Sequence, residues 1–130
     1  MAVVVLDASV LIAFLDASDR HHPAAVAAFE KVRSEQLVLP ASAYAEVLVG
    51  PAGRGREALS VVRAFIADLA LHVEPTSIKI AERAAQLRAS HKSLRLPDAL
   101  VIATADVLEA TSLLTADRSW TRVTRRARLI

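Results

Sequence analysis

Apolar positions along this chain fall into two kinds of run. Short blocks without alternation, residues 2–6 (AVVVL), 37–39 (LVL) and 112–115 (SLLT), predict strands buried on both faces. Residues 72–73 and 128–130 are candidates for two more. Longer segments with helical spacing lie between them. Residues 9–15 predict a short apolar helix, and residues 24–34 another, with Val26, Phe29 and Val32 in phase and Pro23 suited to its first turn. Pro40 and Ser42 open a helix through SAYAEVLVG that Gly50 is expected to end, before a flexible loop, PAGRGRE. Residues 57–69 carry Leu59, Val62, Phe65, Ile66 and Leu69 on one face. Thr76, after Pro75, is expected to cap a helix over 78–89. Residues 91–95 are polar, and residues 98–110 form a long apolar helix.

Strands alternating with helices predict an α/β fold, a mostly parallel sheet with helices on both faces. The 130 residues make one domain, 1–130, with no internal repeat or linker. Right-handed crossovers then bring the strand C-termini to one edge, where such folds bind their ligands.

Composition narrows the chemistry. There is no cysteine, so disulfides, thiolate metal sites and cysteine nucleophiles are excluded. No GxSxG elbow offers a serine nucleophile. Apolar residues are 54% and mean hydropathy is +0.38, enough to cover both faces of a sheet and still leave apolar surface for a partner. The N-terminal apolar run lacks a basic leader and is broken by Asp7, so it is not read as a signal peptide, and no stretch suits a membrane span. A cytoplasmic protein is expected. Net charge is only +2, yet arginines crowd the C-terminus at 118, 122, 125, 126 and 128, as either a solvated tail or a phosphate-binding footprint.

Four carboxylates lie where this topology would gather them. Asp7 follows the first strand and Asp117 the SLLT strand, Glu46 is on the helix after LVLP, and Asp98 opens the helix DALVIATADVLEA. Each of three has a plain alternative: Asp7 or Ser9 as a helix cap, Asp98 as a first-turn acid, Asp117 in a turn. Glu46 sits among apolar neighbours with no basic residue within four positions, a costly place for a carboxylate. Asp106 and Glu109 lie ~12 and ~16 Å along the helix from Asp98 and are left out. Asp16 and Asp19 read as solvated loop acids. Like charges gathered this way raise one another's pKa, and a divalent cation resolves the conflict. Hard oxygen donors select Mg²⁺ or Mn²⁺, whose chemistry is phosphoryl transfer to water. Ser9 and Thr115 are the hydroxyls nearest Asp7 and Asp117, placed to orient carboxylates.

With VVVLDASVLIAFLD, SAYAEVLVG, LRLPDALVIATA and LLTADRSW in this order, the chain resembles the PIN-domain nucleases, specifically the VapC-like toxins of type II toxin–antitoxin systems. The four pieces span nearly the whole chain. The resemblance implies a three-layer α/β/α sandwich and Mg²⁺- or Mn²⁺-dependent endoribonuclease activity. It implies that Asp7, Glu46, Asp98 and Asp117 form the catalytic, metal-binding set, with Asp117 the most peripheral. Ser9 and Thr115 match the small polar positions beside the first and last acids. It also implies a homodimer and a cognate antitoxin that lies over apolar helices and pushes a basic side chain into the acidic site. Two departures stand out: Ala110 or Thr111 where a glycine often precedes the LLT strand, and Trp120 where phenylalanine is more usual.

An RNA substrate needs cations beside those acids. Arg54, Arg56, Lys92, Arg95 and Arg118 are the candidates, set against the ordinary reading of solvated surface charge. Single-stranded RNA or an RNA loop is the expected target, and with only 4% aromatics a stacking platform is not. Three rivals remain. A catalytically silent binding protein would keep RNA affinity without metal. An aspartyl phosphatase would want a second acid two residues after Asp7, where Ser9 stands. A phospho-acceptor receiver would want an acid where LVLP ends in Pro40.

Overall fold

Strands β1 (Val3–Leu6), β2 (Gln36–Pro40), β3 (His72–Glu74), β4 (Ser112–Thr115) and β5 (Ala127–Leu129) form one sheet in the order β3-β2-β1-β4-β5, every pairing parallel. The computed structural model describes residues 2–130. Six helices complete it: α1 (Ala8–Leu15), α2 (His22–Val32), α3 (Ala41–Arg54), α4 (Arg56–Asp68), α5 (Ile78–Ser90) and α6 (Leu96–Val107). The chain steps outward from β1 to β3, then returns to the other side of β1 for β4. Right-handed crossovers in opposite directions place helices on both faces, the expected three-layer α/β/α architecture.

The central strand explains its own sequence. β1 is hydrogen-bonded on both edges and covered on both faces, so Val4, Val5 and Leu6 are all buried and alternation is absent. Helix α6 rests on the sheet through Ala99, Val101, Ile102, Ala103 and Ala105, all buried. Three of these are alanines, which let the helix approach closely. Trp120 is the largest fully buried side chain, and its indole nitrogen is buried without a hydrogen-bond partner. Among the described residues no helix is long and apolar enough to cross a membrane.

Several boundaries differ from the sequence reading. Helix α3 does not stop at Gly50. It runs through Gly50 and Pro51 to Arg54, so most of the expected PAGRGRE loop is helical. Pro51 forfeits a backbone hydrogen bond but is buried, and packing against α4 outweighs the local breaker signal. The break falls instead at Gly55, whose φ of +115° favours glycine. Ser77, not Thr76, caps α5, its hydroxyl accepting from the Ile80 N–H at 3.2 Å. Helix α6 begins two residues early and ends at Val107. Glu109 adopts a left-handed conformation and the Ala110 N–H donates to the Ala105 carbonyl at 2.9 Å, a Schellman closure without glycine.

Candidate active site

Asp7 is the first residue beyond β1, and its N–H extends the ladder to β4 by donating to the Leu114 carbonyl at 2.9 Å. It stands at the N-cap of α1, yet its side chain caps nothing. Instead Oδ2 accepts from Ser9 Oγ at 2.7 Å and from Thr115 Oγ1 at 3.0 Å. Those hydroxyls in turn accept from the backbone N–H groups of Ala116 and Asp117, at 3.1 and 3.0 Å. A closed polar web thus joins the C-terminal ends of β1 and β4. Asp7 is only 8% exposed. Burial pushes its pKa up to about 6, opposed by the Ser9 and Thr115 hydrogen bonds and helped by the charge of Asp98.

Asp98 lies in the first turn of α6, half-buried beside Arg95, whose Nε is 3.5 Å from Asp98 Oδ2. Burial raises its pKa, Arg95 opposes, and Asp117 adds to the rise. Glu46 corrects the sequence argument. It is exposed, not immersed in apolar surroundings, because its apolar sequence neighbours Ala43 and Val47 turn to the core on other faces of α3. Partial burial of its carboxyl and the charge of Asp98 still raise its pKa against the pull of Arg95. Asp117 is exposed and has a structural role too: its Oδ1 accepts from the Ser119 N–H at 2.9 Å and hydroxyl at 2.6 Å, capping a 3-10 turn at Arg118–Arg122. The turn expected at Asp117 from the sequence is thus present.

Asp98 is therefore the electrostatic centre, coupled to Asp7, Glu46 and Asp117. Asp7 and Asp117 lie just beyond β1 and β4 at the strand C-terminal edge, Asp98 and Asp117 line one cleft, and Glu46 lines a separate groove. Among the described residues no three acidic or imidazole side chains converge tightly enough to enclose an ion. The donor set nonetheless fits a hard cation. It is all carboxylate, burial and neighbouring charge raise the pKa values of Asp7, Glu46 and Asp98, and Mg²⁺ ordinarily takes one or two carboxylates and fills its remaining positions with water or phosphate oxygens.

The expected phosphate contacts separate. Arg95 lines a cleft of about 410 Å³ that also contains Asp98 and Asp117. Arg54 lines a different, larger groove of about 650 Å³ between α1, α3 and α4, walled by Ile12, Phe14, Val47, Val61 and Phe65, with Asp16 and Glu46 at its edge. Arg56, Lys92 and Arg118 line neither. Arg122, not singled out from the sequence, does line the acidic cleft, and nothing in its spacing distinguishes it from its arginine neighbours. Arg126 is structural: it and Arg83 both pair with Asp106, at 3.2 and 2.9 Å, tying the C-terminal segment and α5 to α6. The sequence reading gave Asp106 no role at all.

The family described as PIN domain matches residues 4–126. No curated protein matches in sequence. Among solved structures, a toxin–antitoxin complex from Klebsiella pneumoniae is 25% identical, with 96% of this chain and 95% of that chain covered and a TM-score of 0.76. VapBC2 from Rickettsia felis, solved with a DNA fragment from its promoter, is 14% identical, covers 98% of each chain and reaches a TM-score of 0.80. VapC20 from Mycobacterium tuberculosis, described as a sarcin–ricin loop cleaving toxin, is 17% identical over 92% of this chain and 93% of that one, with a TM-score of 0.72.

Proposed function

Because this chain belongs to the PIN domain family, we propose that it is a metal-dependent endoribonuclease, a VapC-like toxin that hydrolyses RNA phosphodiester bonds. The observation that carries this reading is the coupling of Asp98 to three other carboxylates at the edge where parallel sheets bind ligands. Asp7, Glu46, Asp98 and Asp117 would hold Mg²⁺ or Mn²⁺. Bound there, the cation would supply Lewis-acid polarisation of the phosphate and a water nucleophile at neutral pH. Ser9 and Thr115 fix the orientation of the Asp7 carboxylate through its Oδ2. Asp98, flanked by Arg95, sets the charge balance of the site. Glu46 and Asp117, both exposed, stand at its mouth, where solvent and substrate enter. A single-stranded segment or loop in cytoplasmic RNA is the substrate that such an open edge can admit.

The toxin reading also assigns the apolar groove. We propose that it receives an amphipathic helix of the cognate antitoxin, whose basic side chain reaches the acids. Val61 is 65% exposed and Phe65 41%, and Asp16 and Glu46 place negative charge where the groove meets the acidic edge. The relatives solved as toxin–antitoxin complexes support this. A second copy of the chain is the proposed cover for other exposed apolar side chains, such as Ile78.

The test incubates purified protein with assorted RNAs and Mg²⁺ or Mn²⁺. Cleavage that vanishes with EDTA and in Asp7→Asn and Asp98→Asn is expected. Cleavage that survives both substitutions or the chelator refutes the reading.

A further inference from the structure

Arg95 lines the cleft that holds Asp98 and Asp117. Its backbone is the N-cap of α6 and its side chain is 76% exposed, paired with Asp98 at 3.5 Å. Exposed pairs of this kind are weak and open to exchange. That cleft, of about 410 Å³, is also lined by Arg122, Ser93 and Ser119. Two of the C-terminal arginines are otherwise engaged. Arg126 is spent on Asp106 and the Ala110 carbonyl, and Arg128 Nη1 donates to the carbonyls of Arg125 and Ala127. Arg122 makes no ion pair among the described residues.

Charge balance then dictates what happens when ligands arrive. A cation bound at Asp98 takes over the neutralisation that Arg95 provides. The released guanidinium, with its fork of donors, is suited to a phosphate oxygen pair and has the cleft beside it. We propose that Arg95 is an exchangeable counter-ion: it neutralises Asp98 in the free protein and passes to a phosphate of single-stranded RNA entering the same cleft, with Arg122 as the second cation there. This inference rests on the metal-dependent ribonuclease reading and adds to it a substrate track and its order of assembly.

Two binding measurements test it, neither of them an activity. Mn²⁺ affinity is measured by electron paramagnetic resonance on RNA-free protein. Affinity for a short labelled single-stranded RNA is measured by anisotropy in Ca²⁺ over a range of salt. Arg95→Gln is expected to bind Mn²⁺ about twofold to fivefold more tightly, since a weak competing pair has gone. The same variant is expected to flatten the salt dependence of RNA binding by about 0.7 in log–log slope, one phosphate contact. Arg122→Gln is expected to flatten that slope similarly while gaining less Mn²⁺ affinity than Arg95→Gln. Circular dichroism melts check that both variants remain folded. If wild type binds Mn²⁺ but Arg95→Gln binds it equally or more weakly, the exchange is refuted and the ribonuclease reading stands. An unchanged salt slope in both variants refutes the RNA track. Failure of the wild type to bind Mn²⁺ overturns the ribonuclease reading, and this inference with it.

Discussion

Asp7→Asn should stabilise the metal-free protein while abolishing its proposed activity. In the folded chain the Asp7 carboxyl has a pKa of about 6 against 3.8 for the unburied group, so ionising it costs free energy in the native state. The sign follows from linkage. Because the folded value is raised, the favourable neutral form is fully present below about pH 4, and stability falls as pH climbs through about 6. At 1.36 kcal/mol per unit, a rise of this size corresponds to about 3 kcal/mol at neutral pH. Asparagine keeps a carbonyl oxygen to accept from Ser9 and Thr115 and carries no charge. Without metal, its melting midpoint at about pH 7.5 should exceed wild type by roughly 8–12 °C for a domain of this size. The assay is thermal and urea denaturation in EDTA from about pH 4 to 8. The gap between the two proteins should close as pH falls from about 6 to about 4, and adding Mn²⁺ should narrow it by stabilising wild type alone. A variant less stable than wild type at neutral pH, or a gap independent of pH, would refute the burial argument.

Three further outcomes are expected. Ser9→Ala removes a 2.7 Å bond to the Asp7 carboxylate, worth about one pKa unit, so the acid limb of the RNA-cleavage profile should move upward by about that much; an unmoved limb counts against Ser9 acting through Asp7. Asp106→Ala leaves Arg83 and Arg126 without their shared partner, and because all three are partly exposed the urea midpoint should report a loss of only about 1 kcal/mol. Trp120→Ala should cost about 3–5 kcal/mol in equilibrium unfolding, whereas Trp120→Phe, which also removes the unpartnered indole N–H, should cost less than half as much.

What the sequence disclosed and what it hid have physical causes. The strands were legible because burial on both faces leaves unbroken β-branched runs such as VVVL, and the site's location followed from parallel topology. Helix ends were less legible. Ala70 and Glu109 take left-handed conformations that glycine usually signals, while Gly50 and Pro51, the usual breakers, sit inside a helix. Position along a helix also misled at Glu46, where apolar sequence neighbours were taken for spatial ones. Asp7 and its hydroxyl partners could be grouped from strand ends alone, 108 residues apart in sequence for Thr115. The roles of Arg122, Asp106 and Arg126 could not, because their partners depend on how the C-terminal segment folds back onto α6.

The web between β1 and β4 also has a meaning in time. Asp7 is made 108 residues before Thr115, whose hydroxyl helps to fix it. Until β4 has left the ribosome and slotted beside β1, Asp7 lacks its second wall and Asp117 is not in place. A nascent chain of this protein is therefore born without a formed site. For a chain whose proposed target is the cell's own RNA, that order means the site does not form on a partly made domain. The same order of events leaves the groove between α1, α3 and α4, built from the first half of the chain, available to a partner before the acids are complete.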